Sequence, residues 1–329
     1  MSVTITSPSR LHFALIDLNG ELGRVDGGIG VALDEPSLEV AVSAVDNDQV
    51  EAEEVVSILE QIRSRIELRA NYHVTILKKL PSHVGLGSRT QLSLSVAKAI
   101  NVLEGRSDNA VELAKLVGRG GTSGIGVAAF DKGGFILDGG HVFRNDKSLK
   151  NVKGLKTGFL PSSASNVPPP PVLFQHPLPE DWFFVIAIPQ VKRGAHGPEE
   201  IEIFKRCCPL EREEVEKVCR ILLMQTLPSV LENDIATFAE SLTMLQQVGF
   251  KRIELKLQHE IINELFHFFD AHALGYGMSS FGPVTYAIVK SEKRAKELAA
   301  ATKAFLDQKT MPALVSYSNT NNTGYGVRY

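Results

Sequence analysis

Apolar and polar positions alternate along the start of the chain. Positions 3–6, 10–17 and 38–45 carry the period of two that puts successive side chains on opposite faces, and they predict strands. Positions 51–65 switch to helical spacing, and 72–77 return to a strand pattern. Leu92, Val96, Ala99, Ile100 and Leu103 then recur at helical intervals. A short helix is predicted over 109–117 and a strand over the segment that ends at 135–141. Further on, 182–189 predicts a buried strand, and 211–224, 235–248 and 259–272 predict helices. Strands at 273–278 and 285–290 flank a glycine turn, followed by a helix at 293–307 and a strand at 313–317. Helices and strands mix without regular βαβ alternation, so the predicted class is α+β rather than a doubly wound sheet.

Between 145 and 179 the periodicity weakens and four consecutive prolines appear, Pro168 to Pro171. Such a run is neither helix nor central strand, so 151–180 is predicted to be an extended linker. It would separate a first domain, 1–150, from a second, 181–329. The composition, 43% hydrophobic and 22% charged, is that of an ordinary soluble protein with ample core. A net charge of −3 gives no reason to expect nucleic acid or an anionic membrane as partner. Cys207, Cys208 and Cys219 are odd in number and clustered, which fits packing residues of a reduced, cytoplasmic protein better than a disulfide framework. Arg10, Asp17 and Glu21 interrupt the N-terminus, which has no apolar signal core, and the longest apolar run, 183–188, is too short to span a bilayer.

The most informative stretch is Leu80-Pro81-Ser82-His83-Val84-Gly85-Leu86-Gly87-Ser88-Arg89-Thr90-Gln91, where a strand leads through two glycines into a helix. Ser88 sits where that helix starts and is placed to cap it. Backbone N–H groups and the positive end of the helix dipole then converge on one spot, which suits a phosphate or diphosphate. No Lys-Ser/Thr pair follows the second glycine, so this is not the common nucleotide P-loop.

Three further groups carry polar chemistry. On the strand 10–17, Arg10 and His12 share the face opposite Leu11, Phe13 and Leu15; this reads either as an anion site or as a solvated edge. Asp17, Glu21 and Asp26 bracket Arg24 around a turn, which reads as oxygen ligands for Mg²⁺ shared with substrate phosphates or as a plain hairpin loop. The glycine-dense 118–126 offers the Thr122 and Ser123 hydroxyls, with Asp131 and Asp138 downstream, and a structural turn is an equal reading.

Pro81, Gly85, Leu86, Gly87 and Ser88, taken with the glycine turn 275–283, resemble the phosphate-binding loop and C-terminal glycine motif of the GHMP kinase superfamily. That resemblance implies a two-domain fold, N-terminally ribosomal-protein-S5-domain-2-like and C-terminally a ferredoxin-like α/β sandwich. The blocks at 7–13, 22–30, 119–126 and 277–283 are similar to one branch of it, whose members transfer a sugar rather than a phosphate. Two departures from the kinase pattern agree. Arg89, Thr90 and Gln91 follow Ser88 in place of a second serine and alanines, and no acidic residue follows Ser123-Gly124.

The resemblance implies decarboxylating transfer of ribose 5-phosphate from phosphoribosyl diphosphate to 4-aminobenzoate or its hydroxy analogue, releasing CO₂ and diphosphate, as a step of tetrahydromethanopterin biosynthesis. On that reading Gly85, Gly87, Ser88 and Thr90 hold the diphosphate with help from Arg89. Asp17 and Asp26 hold Mg²⁺ or stabilise an oxocarbenium ion, and Arg24 acts with them. Arg10, His12 and Arg24 take the 5-phosphate or the carboxylate. Thr122, Ser123, Ser279 and Ser280 complete the walls, and the protein is a homodimer. The second reading is an ATP-dependent kinase of a small alcohol. A third, a binding protein that has lost its chemistry, is disfavoured by the polar set Arg10, His12, Asp17, Arg24 and Asp26.

Overall fold

The computed structural model describes residues 2–329 apart from 51, 145–153, 162–164, 166, 193 and 196. Its first half runs β1 (Ser2–Asp17), β2 (Arg24–Val45), β3 (Gln49–Val50), α1 (Glu53–Arg63), β4 (Asn71–Lys78), α2 (Ser88–Leu103), α3 (Ala110–Leu116) and α4 (Ile125–Asp131). It continues through β5 (Phe135–Asp138), β6 (His141–Phe143), β7 (Leu155–Lys156) and β8 (Val172–His176). The second half begins β9 (Trp182–Pro189), α5 (Pro198–Cys207), α6 (Arg212–Ile221), a π-helical turn (Leu222–Thr226), α7 (Leu227–Glu232) and α8 (Ile235–Leu245). It closes with α9 (Gly249–Lys256), α10 (Glu260–Asp270), β10 (Gly275–Met278), β11 (Thr285–Lys290), α11 (Glu292–Gln308), β12 (Ala313–Asn319) and β13 (Gly326–Arg328).

Two sheets organise these elements. The larger runs β13-β1-β2-β4-β3, with β5 and β6 paired to the first part of β2 and extended by β8 and β7. The smaller is antiparallel, in the order β10-β11-β9-β12. Positions 3–6 and 10–17 lie on one strand, because register shifts at Pro8/Ser9 and between His12 and Ala14 bend β1 without ending it. The second shift falls at Phe13, which has no partner on β2. It leaves Phe13 in the core against Tyr286, Phe184 and Phe238, with ring centroids 5.2, 6.4 and 6.4 Å away.

β9 reads as almost continuously apolar because both its faces are buried. Phe184, Ile186 and Ile188 pack in the core shared with Leu11, Phe13 and Ile29 of the larger sheet. Val185 and Ala187 pack on the other side with Ile262, Leu265 and Leu298 of α10 and α11. A core common to both sheets therefore ties the halves together, and removing Phe13 from it is expected to cost about 3–5 kcal/mol. Helix α3 starts where the sequence signals it. Asn109 accepts from Val111 and Glu112, and the Glu112 carboxylate accepts from the Asn109 N–H.

Over its described residues the linker expected at 151–180 is different in the structure, while 151–153, 162–164 and 166 lie outside the described residues. Leu155–Lys156 and Val172–His176 are strands of the larger sheet, and Pro169 and Pro170 lie against Gly120 and Gly124. The prolines thus cover the 119–124 segment, because a chain without N–H donors packs on glycines with little polar cost. The C-terminal tail also crosses the expected boundary, since β13 pairs with β1. Among the described residues no helix is long and apolar enough to cross a membrane.

Candidate active site

The glycine loop and the C-terminal glycine turn, 194 residues apart, are stitched together through β1. Ser279 Oγ donates to the Gly85 carbonyl at 2.6 Å and accepts from the His12 N–H at 2.9 Å. Arg10 Nη1 reaches the same Gly85 oxygen at 2.5 Å, and the Arg10 N–H donates to Leu86 O at 3.1 Å. Val284 N–H to Val84 O (3.1 Å) and Ser280 N–H to His12 O (2.9 Å) complete the seam. Gly85 and Gly87 have φ of +102° and +79°, left-handed geometry that glycine adopts without strain. A Cβ on Gly85 would stand 2.4 Å from the Ser279 carbonyl oxygen, so the close approach itself requires glycine there.

Ser88 is the first residue of α2, and Gly87 takes the N-cap position with no side-chain cap. The expected Ser88 cap is therefore corrected. The left-handed Gly87 makes the turn, and Ser88 with Thr90 faces the cleft instead.

Two adjoining cavities form that cleft. One of about 180 Å³ is lined by Gly85, Gly87, Ser88, Arg89, Thr90 and Arg10, with Ser280 and Glu200 opposite. The other, about 300 Å³, takes in His12, Arg119, Thr122, Ser123 and Glu254 and shares Arg10, Arg89, Thr90, Glu200 and Ser280 with the first. Ser279 does not line either one; it is buried in the seam behind them. Thr122 Oγ1 donates to Leu160 O at 3.2 Å, and Ser123 Oγ donates to Asp138 Oδ2 at the same distance.

Burial dominates the electrostatics. Arg10 is lowered to about 10 by desolvation, partly offset by Glu254. His12 is held well below its ordinary range by burial, then by the charges of Arg10 and Lys251, so it is a neutral imidazole. Its Nδ1 is buried without a partner among the described residues. Glu254 forms a buried ion pair with Lys251, which also donates to Ser280 O at 3.0 Å. Glu200 is pushed up to about 7 by burial and by the nearby charge of Glu254. Asp138 is pushed up to about 6 by burial, against hydrogen bonds from Gly140, Gly124 and Ser123.

Three expected catalytic residues lie elsewhere. Asp26 is sealed from solvent, and its Oδ2 accepts from Lys156 Nζ at 2.8 Å and His141 Nδ1 at 2.6 Å. Arg24 is a clasp, donating to the carbonyls of Gly139 and Gly140 at 2.9 and 2.8 Å. Asp17 Oδ1 accepts from the N–H groups of Asn19 and Gly20 and shapes the turn after β1. None of the three lines the cleft cavities. Asp17 and Asp26 also do not fit a magnesium ion, because Asp26 is already neutralised by a buried ammonium and Asp17 holds a turn. Among the described residues no group of three His, Cys, Asp or Glu side chains is placed to hold a metal.

The sequence alone assigns no role to Glu200, Glu254, Arg119 or His83, although His83 stands within the glycine-loop stretch. All four line the cleft. Arg119 stands within the quoted glycine block, and that was the signal available for it. Glu200 and Glu254 lie outside every element the pattern predicts, on helices that only the structure shows.

Loop, seam and cleft define a GHMP-type fold, and residues 53–134 match the family model described as GHMP kinases N terminal domain. The structure resembles homoserine kinase from Cytophaga hutchinsonii with a TM-score of 0.67 at 19% identity, covering 99% of this chain and 97% of that one. Galactokinase from Lactococcus lactis gives 0.65 at 13% identity, covering 99% and 95%. Closer in sequence are two proteins named beta-ribofuranosylphenol 5'-phosphate synthase. That of Methanothermobacter thermautotrophicus is 44% identical, over 88% of this chain and 89% of its own. That of Methanocaldococcus jannaschii is 42% identical, over 86% and 88%. The chain belongs to the family of these synthases, within the GHMP kinase superfamily.

Proposed function

We propose that the protein transfers ribose 5-phosphate from phosphoribosyl diphosphate to a para-substituted benzoate, releasing CO₂ and diphosphate. The observation that carries this reading is the identity of 40–44% to three synthases whose name specifies a ribofuranosylphenol 5'-phosphate. That name favours 4-hydroxybenzoate over 4-aminobenzoate as acceptor, because a phenol product keeps the para oxygen. It also favours transfer over the alcohol-kinase alternative, although the fold neighbours include kinases.

The chemistry matches the cleft. The C1–oxygen bond of the donor breaks with its electron pair leaving on diphosphate, toward N–H groups of the loop and the first turn of α2. Gly85, Gly87, Ser88 and Thr90 form that cradle, and Arg10 with Ser279 fixes its shape from behind. The Glu200 carboxylate stabilises the oxocarbenium character at C1. The ring carbon bearing the carboxylate attacks C1 with a π pair, and the para oxygen delocalises the resulting positive charge. The bond to the carboxyl carbon then breaks, returns its pair to the ring and frees CO₂. No proton changes hands, so the reaction calls for no general base.

Thr122, Ser123, Ser280 and the neutral His12 form the walls against which the ring stacks. Magnesium enters this proposal as the counter-ion that accompanies the diphosphate donor. The cytoplasmic reading rests on the odd, clustered cysteines and the dimer reading on the superfamily resemblance; light scattering of the purified chain tests the dimer. The reaction is tested by diphosphate release from phosphoribosyl diphosphate, which must require the aromatic acid. Release of ADP from ATP with a small alcohol, and none of diphosphate, would return the case to the kinase.

A further inference from the structure

A third cavity, about 580 Å³, opens on the outer side of the glycine loop, lined by Glu54, Gln61, Arg65 and Leu92. Arg89, Arg119 and His83 line this cavity and the 300 Å³ cleft cavity alike, so they stand in the wall between the two. Arg89 and Arg119 differ from the other arginines considered for the site. Arg10 is committed to the Gly85 carbonyl and Arg24 to Gly139 and Gly140. Among the described residues, neither the Arg89 nor the Arg119 guanidinium has a hydrogen-bond or ion-pair partner.

Their placement is unfavourable without a ligand. Arg89 lies in the first turn of α2, where the helix dipole repels a cation. Arg119 is lowered to about 10 by burial first and the charge of Arg89 second, so the two guanidinium groups also repel each other. A single anion between them removes both penalties, and two planar forks suit a phosphate.

On the proposed reaction, on which this step rests, three anionic groups need holding: the leaving diphosphate, the 5-phosphate and the acceptor carboxylate. The diphosphate belongs at the backbone cradle. The carboxylate must become neutral CO₂, and a pair of arginines gripping it would favour the charged group and oppose its loss. The 5-phosphate keeps its double charge from donor to product. We infer that Arg89 and Arg119 form a clamp for the ribose 5-phosphate group at the wall between the two cavities. This moves Arg89 away from the diphosphate and takes the 5-phosphate from Arg10 and Arg24.

Ribose 5-phosphate, inorganic diphosphate and 4-hydroxybenzoate serve as separate probes in calorimetric titrations of the full chain. Arg89→Gln, an exposed position, and Arg119→Gln are each expected to weaken ribose 5-phosphate binding at least about tenfold. In Arg119→Gln, whose side chain does not line the 180 Å³ cradle cavity, diphosphate and 4-hydroxybenzoate binding should stay within about twofold, and Arg119→Lys should regain part of the loss. Ribose 5-phosphate affinity unchanged in both glutamine variants, or a loss confined to diphosphate or to the aromatic acid, overturns the clamp. Where the wild type still makes product, those variant results leave the reaction standing; absence of product with the wild type is the separate failure of the reaction itself.

Discussion

Arg10 and Ser279 donate to one carbonyl oxygen, that of Gly85, at 2.5 and 2.6 Å. A side chain from the first strand and one from the last third of the chain thus set the same turn of the phosphate loop. The loop's shape is a property of the whole fold, and the seam explains how a cradle of backbone N–H groups is held rigid before a ligand arrives.

Removing the Ser279 hydroxyl leaves the Gly85 carbonyl with Arg10 alone and the His12 N–H without its acceptor. Ser279→Ala is expected to lower stability by about 1–3 kcal/mol, as for other buried hydrogen bonds. It should also raise the KM for phosphoribosyl diphosphate more than the KM for the aromatic acid. Denaturant melts and initial rates measure both; equal effects on the two KM values would mean that the seam does not shape the cradle.

Gly87 adopts φ +79°, and a side chain there would meet Arg10 Cγ at 3.0 Å. Gly87→Val is expected to abolish donor binding while the chain still folds, read by diphosphate titration beside circular dichroism. Retained diphosphate affinity would reduce the loop to a structural turn.

Asp26 is buried under Lys156 and His141. Replacing it leaves an ammonium without a counter-charge in the interior, which typically costs about 3–5 kcal/mol. Asp26→Asn is therefore expected to melt far earlier than the wild type and to lose turnover in proportion to folded protein. A variant with wild-type melting and no turnover would restore Asp26 as a catalytic group.

The pH profile should show Glu200. Its carboxyl is held up near 7 from an ordinary 4.5, facing Arg10, His12, His83, Arg89, Arg119 and Glu254 across the cleft. The folded state binds this proton more tightly than the unfolded chain, so its contribution to stability is present below about 4.5 and lost as pH rises through about 7. Turnover should move the other way, rising through about 7 as the carboxylate needed at C1 forms. In Glu200→Gln the rate should fall and the rise vanish. A profile of unchanged shape in that variant would place the titrating group elsewhere.

The sequence displays local structure well where one period dominates. The switch from strand to helix across 72–103 is plain in Leu92, Val96 and Ile100, and Asn109 with Glu112 spells out a capping box. It hides what depends on distant partners. Asp26 looks like a free turn carboxylate because Lys156 lies 130 residues further on. Arg24 looks like a ligand-binding arginine because the carbonyls it clasps carry no side-chain signal. Helix α5, which delivers Glu200, falls in the stretch between 189 and 211 where the pattern predicts no element, and Gly197 and Pro198 stand at its start. The phosphate loop was legible as a site, whereas the charges facing it from α5 and α9 emerge only when the two halves pack.

The most direct measurement follows the carboxyl group. The purified enzyme, given phosphoribosyl diphosphate, Mg²⁺ and carboxyl-labelled 4-hydroxybenzoate, should release labelled CO₂ in step with diphosphate, and neither should appear when any one component is left out. Diphosphate release with the label retained on the acid, or no release with either the hydroxy or the amino acid, would contradict decarboxylating transfer as the function of this site.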